Sequence, residues 1–309
     1  MIWAYLIHLG QNFWRESEGE KSALGQWSGT MVTEDAAWRE VVDFLPAQGV
    51  NTLLIDLGEG VRFDTHPELA CEGAWSKEKL KKELDRIRAL GMKPIPKLNF
   101  SACHDAWLKD YGHMISTKKY YQVVRELIDE TAELFDSPEL FHVGLDEEWA
   151  QIHYYQRANG HTCLRQGDLF WSDTNFLVDC CEKNHCRPWI WGDVHWYKAD
   201  ETVEKLSKDC VVSNAMYIRM RNPQHMVDHE LRDLNTYFHF AEHGFEQIPT
   251  CATYYNTQNP DDTIYMCKDL PGDSGVYDRT VVPYEGDGRS QTQSGIQDLR
   301  RGKTPLFRR

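Results

Sequence analysis

A single (β/α)8 barrel of the TIM type is the fold class this sequence predicts, and three observations predict it. Short apolar runs alternate with amphipathic stretches roughly seven times along the chain, the rhythm of βα units. The apolar runs are nearly continuous rather than alternately apolar and polar, as strands buried on both faces must be. The length, 309 residues, suits one barrel of about 250 residues with loop insertions. A doubly wound sheet is the competing architecture, but it usually carries a glycine-rich phosphate turn after its first strand, and "HLGQNFW" offers none. The barrel is placed over residues 1–270. Residues 271–309 are set apart as an aberrant, disordered tail.

The elements follow in order. "MIWAYLIHLG" reads as a first strand over Trp3–Leu9, because it lacks the basic region and small-residue cleavage site of a leader. Thr33 caps a helix over Glu34–Leu45, and Thr52–Leu57 is the second strand. Ser76 caps a helix over Lys77–Leu90 that stops at Gly91, before a third strand at Lys93–Asn99. Thr117 opens a helix over Lys118–Phe135, and Phe141–Asp146 is the fourth strand. Apolar spacing predicts helices over Leu169–Lys183 and Met226–Glu242. Strands are read at Pro188–Trp191 and Val211–Ala215, with a weaker one at Gln247–Ala252.

Composition narrows the function. The chain is 41% hydrophobic and 27% charged, ordinary for a globular protein, and its net charge of -14 makes a nucleic-acid partner unexpected. No run approaches the ~18 apolar residues of a membrane span. Nine cysteines, an odd number with Cys180 and Cys181 adjacent, fit a reduced, cytoplasmic chain. No cofactor motif is present. "CCEKNHC" brings Cys181, His185 and Cys186 together without the paired spacing of a zinc site, so these residues are read as helix packing and no metal is expected.

The chemistry concentrates in "LFHVGLDEEW", Leu140–Trp149. An apolar strand ends in three consecutive carboxylates, Asp146, Glu147 and Glu148, at the end of a barrel strand where catalytic groups sit. Adjacent carboxylates raise each other's proton affinity, and burial raises it further, so one can remain a proton donor while another stays ionised. That division of labour is what acid-catalysed glycosidic cleavage needs.

His142-Val143-Gly144-Leu145-Asp146-Glu147 resembles the His-x-Gly-Gly-Asp-Glu motif of the family 20 glycoside hydrolases, the β-N-acetylhexosaminidases, at all but the second glycine. The resemblance runs from about Val50 to Tyr217. "GVNTLLIDLGEGVRF" is similar to the segment that puts an acidic residue and an arginine near the sugar, which implies Glu59 and Arg62. "HPELACEGAWSKEKL…KLNFSACH" follows the family's order to a histidine, His104; "PWIWGDV" implies Trp191 and Asp193, and "VVSNAMY" implies Tyr217. By this resemblance the substrate's 2-acetamido oxygen attacks the anomeric carbon, Asp146 orients it with help from Tyr217, and Glu147 protonates the leaving oxygen. His142 and Trp149 complete the expected sugar contacts. The departures are specific: Gln11 and Asn12 stand where the family has a strand-one arginine, and Ser101-Ala102-Cys103-His104 replaces a Pro-Gly-His signature.

Two other readings stay open. The chain is a glycosidase of another specificity, pairing Glu147 with Glu148 or Asp193, or a catalytically silent sugar-binding barrel. Of the eleven tryptophans, Trp149, Trp191 and Trp196 fall at strand ends where a ring can stack on a sugar. After "CKDLP" the strand–helix rhythm stops. Read one base later, codons for "GVYDRTVVPYEG" permit Gly-Phe-Met-Thr-Glu-Pro-Trp-Phe-Pro-Thr-Lys, so the expectation is that a frameshift replaced the last βα unit.

Overall fold

The computed structural model describes residues 2–10, 29–31, 33–148, 165–221, 223–253, 256–267, 270 and 279–281. Eight strands form one sheet: β1 Ile2–His8, β2 Thr52–Asp56, β3 Lys93–Lys97, β4 Leu140–Gly144, β5 Arg187–Trp191, β6 Val211–Ser213, β7 Glu246–Gln247 and β8 Arg279–Val281. Between them lie α1 Asp35–Phe44, α2 Lys77–Ala89, α3 Lys118–Leu134, α4 Gly167–Lys183, α5 Ala199–Lys205, α6 Asp228–Glu242 and α7 Asn259–Cys267. The strand order is β7-β6-β5-β4-β3-β2-β1-β8 and every ladder is parallel, the topology of a TIM-type barrel. β7 and β8 are the ends of the sheet, and no ladder joins them among the described residues. No described helix is long and apolar enough to cross a membrane.

Burial explains the strands. All five residues of β2 and of β4 are buried, since helices cover one face and the lumen the other. Leu6, Leu54, Ile95, Leu140, Trp189 and Val211 fill the lumen, while Val41, Leu84, Val124, Leu127 and Leu177 close the outer layer against the sheet. One register row higher, His8, Asp56, Lys97 and His142 are successive Cα partners across β1–β4. The lumen thus changes from apolar to titratable just below the C-terminal rim.

Most elements lie within two residues of their sequence limits, and the differences have physical causes. Ser76 and Thr117 do cap α2 and α3, accepting the N–H groups of Lys79 and Tyr120. Thr33 does not cap α1: its hydroxyl donates to the carbonyls of His8 and Leu9, at 3.2 and 2.8 Å, tying the helix entry to the end of β1. Helix α6 starts at Asp228, not Met226, because Glu230 accepts the Val227 N–H and fixes the first turn there. Helices α5 and α7 have seven and nine residues, too short for apolar periodicity to single out. Residues 279–281, inside the segment set apart as a tail, pair with Ile2, Trp3 and Ala4. β6, β7 and β8 have three, two and three residues, against five to seven in β1–β5, so sheet regularity fades toward the end of the chain.

β3 reads Lys-Pro-Ile-Pro-Lys. Pro94 and Pro96 fall at positions whose N–H would face β4, because Lys93 donates to Asn51 on the β2 side and Leu98 donates to His142 on the other. Proline supplies no donor, so the β3–β4 ladder reduces to the pair Lys97 and His142.

Candidate active site

The site is built where β4 ends. Gly144, Leu145 and Glu147 have φ of 76°, 73° and 60°, in the left-handed region. Gly144 is the glycine the position requires, because a Cβ would overlap the Asn99 carboxamide. Leu145 and Glu147 are not glycine, and such residues cost about 1–3 kcal/mol each unless neighbours hold them. Neighbours do. Asn99 Nδ2 donates to Asp146 Oδ1 at 2.9 Å, and Ser101 Oγ donates to the Asp146 carbonyl. Cys103 Sγ donates to the Glu147 carbonyl at 3.0 Å, and Glu147 N–H donates to Asp193 Oδ2 at 2.8 Å. The loop after β3 therefore fastens the turn after β4. Gly144→Ala should displace Asn99 and release Asp146, lowering kcat by about 10² in a turnover assay, the scale of a 1 Å misplacement. Unchanged kcat would show that Asn99 does not set Asp146.

His104 joins the two carboxylates. Its Nε2 lies 3.3 Å from Asp146 Oδ2 and 2.9 Å from Glu147 Oε2, with the imidazole buried. Burial alone would push the imidazole down, but the facing charge of Asp146 and the hydrogen bond and charge of Glu147 outweigh burial and the opposing Lys97, raising it to about 9. A histidine raised on folding contributes stability that is fully present below its unfolded value near 6.5 and is lost as pH rises through about 9. At about 1.4 kcal/mol per tenfold proton affinity, the change amounts to roughly 3 kcal/mol. Urea unfolding at pH 6 and pH 9.5 should show this fall, and His104→Gln should flatten it. An equal fall in both proteins would assign it elsewhere.

Asp193, in the turn after β5, lies behind Glu147. Burial, followed by the charge of Asp146, pushes its carboxyl well above the usual carboxylate range, which favours its protonated form. The third carboxylate of the acidic run has another task. Glu148 is buried, accepts the Ala102 N–H at 2.8 Å and forms a two-point ion pair with Arg165, whose Nε lies 3.0 Å away. Arg165 continues to Asp173 on α4 at 3.3 Å and to the Phe100 carbonyl at 2.9 Å. Glu148 is thereby turned into the wall behind the site.

The remaining expected residues are distributed unequally. His142 is buried between Trp189 and Trp191, at ring distances of 5.0 and 4.7 Å, and its Nδ1 accepts the Gly144 N–H at 3.0 Å. Burial, with Lys97 nearby, pushes it well below the ordinary histidine value, so it is a neutral brace for the turn. Trp191 is buried in the lumen beside it. Glu59 is buried in the turn after β2, its carboxylate against Gly10. Arg62 is exposed, and its side chain makes no hydrogen bond or ion pair among the described residues. Tyr217 is half-buried, three residues beyond Asn214. Trp149, Gln11 and Asn12 lie outside the described residues.

Sequence reasoning missed Asn99, Ser101, Cys103 and Arg165. Asp56, at the end of β2, is an ion-pair residue: Lys97 bonds it directly and His8 Nδ1 lies 3.1 Å away. Burial would raise Asp56, but the Lys97 ammonium and His8 hold it well below the usual carboxylate range. Cys180, Cys181 and Cys186 are buried, free packing residues.

No family model matches this sequence, and no curated protein matches it. Solved structures do resemble it. A β-N-acetylhexosaminidase from Bacteroides fragilis superposes with a TM-score of 0.65 at 13% identity, covering 98% of this chain and 64% of that one. A pneumococcal exo-β-D-N-acetylglucosaminidase GH20 module gives 0.60 at 12% identity, over 99% and 84% of the two chains. A family 5 glycoside hydrolase from Prevotella bryantii, solved with a xyloglucan tetradecasaccharide, gives 0.58 at 13% identity, over 99% and 96%. The chain spans less than two-thirds of the Bacteroides fragilis and Streptomyces plicatus hexosaminidases it resembles. Its fold is thus the (β/α) barrel that family 20 hexosaminidases share with other glycoside hydrolases.

Proposed function

We propose that the protein is a glycoside hydrolase that removes a terminal β-linked N-acetylhexosamine with retention, using the substrate's own acetamido group as nucleophile. The observation that carries this reading is one imidazole, His104, within ion-pair distance of two consecutive carboxylates, Asp146 and Glu147. Two carboxylates so joined can take different roles. Asp146, oriented by Asn99, accepts a hydrogen bond from the acetamido N–H and sharpens the attack of the acetamido oxygen on the anomeric carbon. As that bond forms, the glycosidic C–O bond breaks and Glu147 gives the leaving oxygen the proton it shares with His104. Water then opens the cyclic intermediate, returning a proton to Glu147. His104, bonded to Glu147, stabilises the carboxylate between the two steps.

A mechanism with a second enzymic carboxylate needs a free anion on the opposite side of the sugar. Glu148 is committed to Arg165, and Asp193 is buried, favours its protonated form and already accepts the Glu147 N–H on one oxygen. Neither fits that part, which favours the acetamido route. The test is a panel of aryl β-glycosides. Turnover of the N-acetylglucosaminide or N-acetylgalactosaminide well above the glucoside and galactoside is expected. Equal turnover of sugars without the acetamido group would overturn the assignment.

A further inference from the structure

A groove of about 420 Å³ lies between α5 and α6, within the roughly 300–1,000 Å³ of small-ligand clefts. Its outer wall is one stripe of α6, formed by Asp228, Leu231, Arg232, Asn235, Thr236 and His239. These positions share a helix face by their spacing of three and four. A barrel helix normally turns an apolar stripe toward its neighbour. Here only Leu231 is apolar, and α5, two turns long, leaves the stripe partly uncovered. Asp228 and Asn235 are exposed, and their side chains make no hydrogen bond among the described residues. The inner wall is Trp196, whose Nε1 donates to Asn214 Oδ1 at 2.9 Å. Asn214, at the end of β6, packs on Gly192, the residue before Asp193. A single turn after β5 therefore presents Asp193 to the carboxylates and Trp196 to the groove.

An indole flanked by amide and carboxylate groups is the chemistry that holds a sugar, with C–H surface on the ring and hydroxyls on the side chains. Charge selects the kind of sugar. Arg232 is already paired with Asp233 and His239 Nε2 lies 3.4 Å from Asp200, which leaves the Asp228 carboxylate on the groove, so an anionic chain is disfavoured. From this geometry we infer that the groove is a second saccharide subsite, which takes the part of a neutral β-linked oligosaccharide lying beyond the scissile bond. The inference rests on the glycoside hydrolase reading and extends it to substrate length.

The test compares the parent with Asp228→Ala/Asn235→Ala, both changes being on the exposed face of α6. One probe is an aryl N-acetyl-β-D-glucosaminide and the other is the β-1,4-linked tetramer of N-acetylglucosamine. The double variant should lose tenfold or more in kcat/KM for the tetramer and stay within twofold for the aryl monosaccharide. A parallel calorimetric titration of the tetramer into both proteins carries the inference even if the parent turns over neither probe. In that event the proposed reaction fails, and tenfold weaker binding by the variant still supports the subsite. Equal kcat/KM ratios for the two probes in an active parent overturn the subsite, as do equal affinities, absent binding included, in an inactive one.

Discussion

Glu147→Gln is expected to slow turnover by about 10²–10⁴, the range of general acid catalysis. The loss should depend on the substrate. A leaving group that departs as a stable anion needs little proton donation, so a dinitrophenyl glycoside should lose least and an alkyl glycoside most. Asp146→Asn should behave differently. The Asn99 bond to Oδ1 keeps the side chain in place, but the carboxylate that orients the acetamido group is gone. Activated substrates should then slow as much as poor ones, because the impaired step is nucleophilic attack. Leaving-group dependence that is identical in the two variants would sink both role assignments.

Arg165→Met should be the most damaging change to stability, costing about 3–5 kcal/mol. Arg165 and Glu148 are both fully buried, so removing the guanidinium leaves a carboxylate with no solvent and one backbone N–H. Asp173 keeps Ser116 and Tyr121 as donors and suffers less. Urea unfolding measures the loss, and Glu148→Gln in the same chain should recover much of it by removing the stranded charge. A loss below about 1 kcal/mol would mean that water reaches Glu148. Activity should fall with stability, because Glu148 follows Glu147 directly and Ala102 N–H ties it to the loop carrying His104.

The sheet and the place of the acidic cluster at the end of β4 were legible in the sequence for physical reasons. Strands buried on both faces are written as continuous apolar runs, and three carboxylates closing one such run are conspicuous. What each carboxylate does was not legible. Asp146, Glu147 and Glu148 are consecutive, yet Arg165, 17 residues on and isolated in its own sequence context, decides that Glu148 becomes a wall. Asn99 and Ser101 were similarly silent, since hydrogen bonds from a loop to a turn about 45 residues away leave no periodic trace. Helices α5 and α7 escaped because two turns supply too few apolar positions to establish a period.

The two prolines of β3 have a consequence for how the molecule comes apart. Where most neighbouring strands are zipped by their backbones, β3 and β4 are held chiefly by what stands on their ends: Asn99 and Ser101 on Asp146, Cys103 on Glu147, and Arg165 spanning Phe100 and Glu148. This is a line of parting, with the working groups acting as its clasp. The amide protons of Leu98 and Phe100, which cross to His142 and Val143, should be among the first in the strand layer to exchange with deuterated solvent. A sugar bridging His104 on one side and Asp146 on the other would close the clasp and slow that exchange. Amide exchange at two residues would thus report occupancy of the site without any turnover.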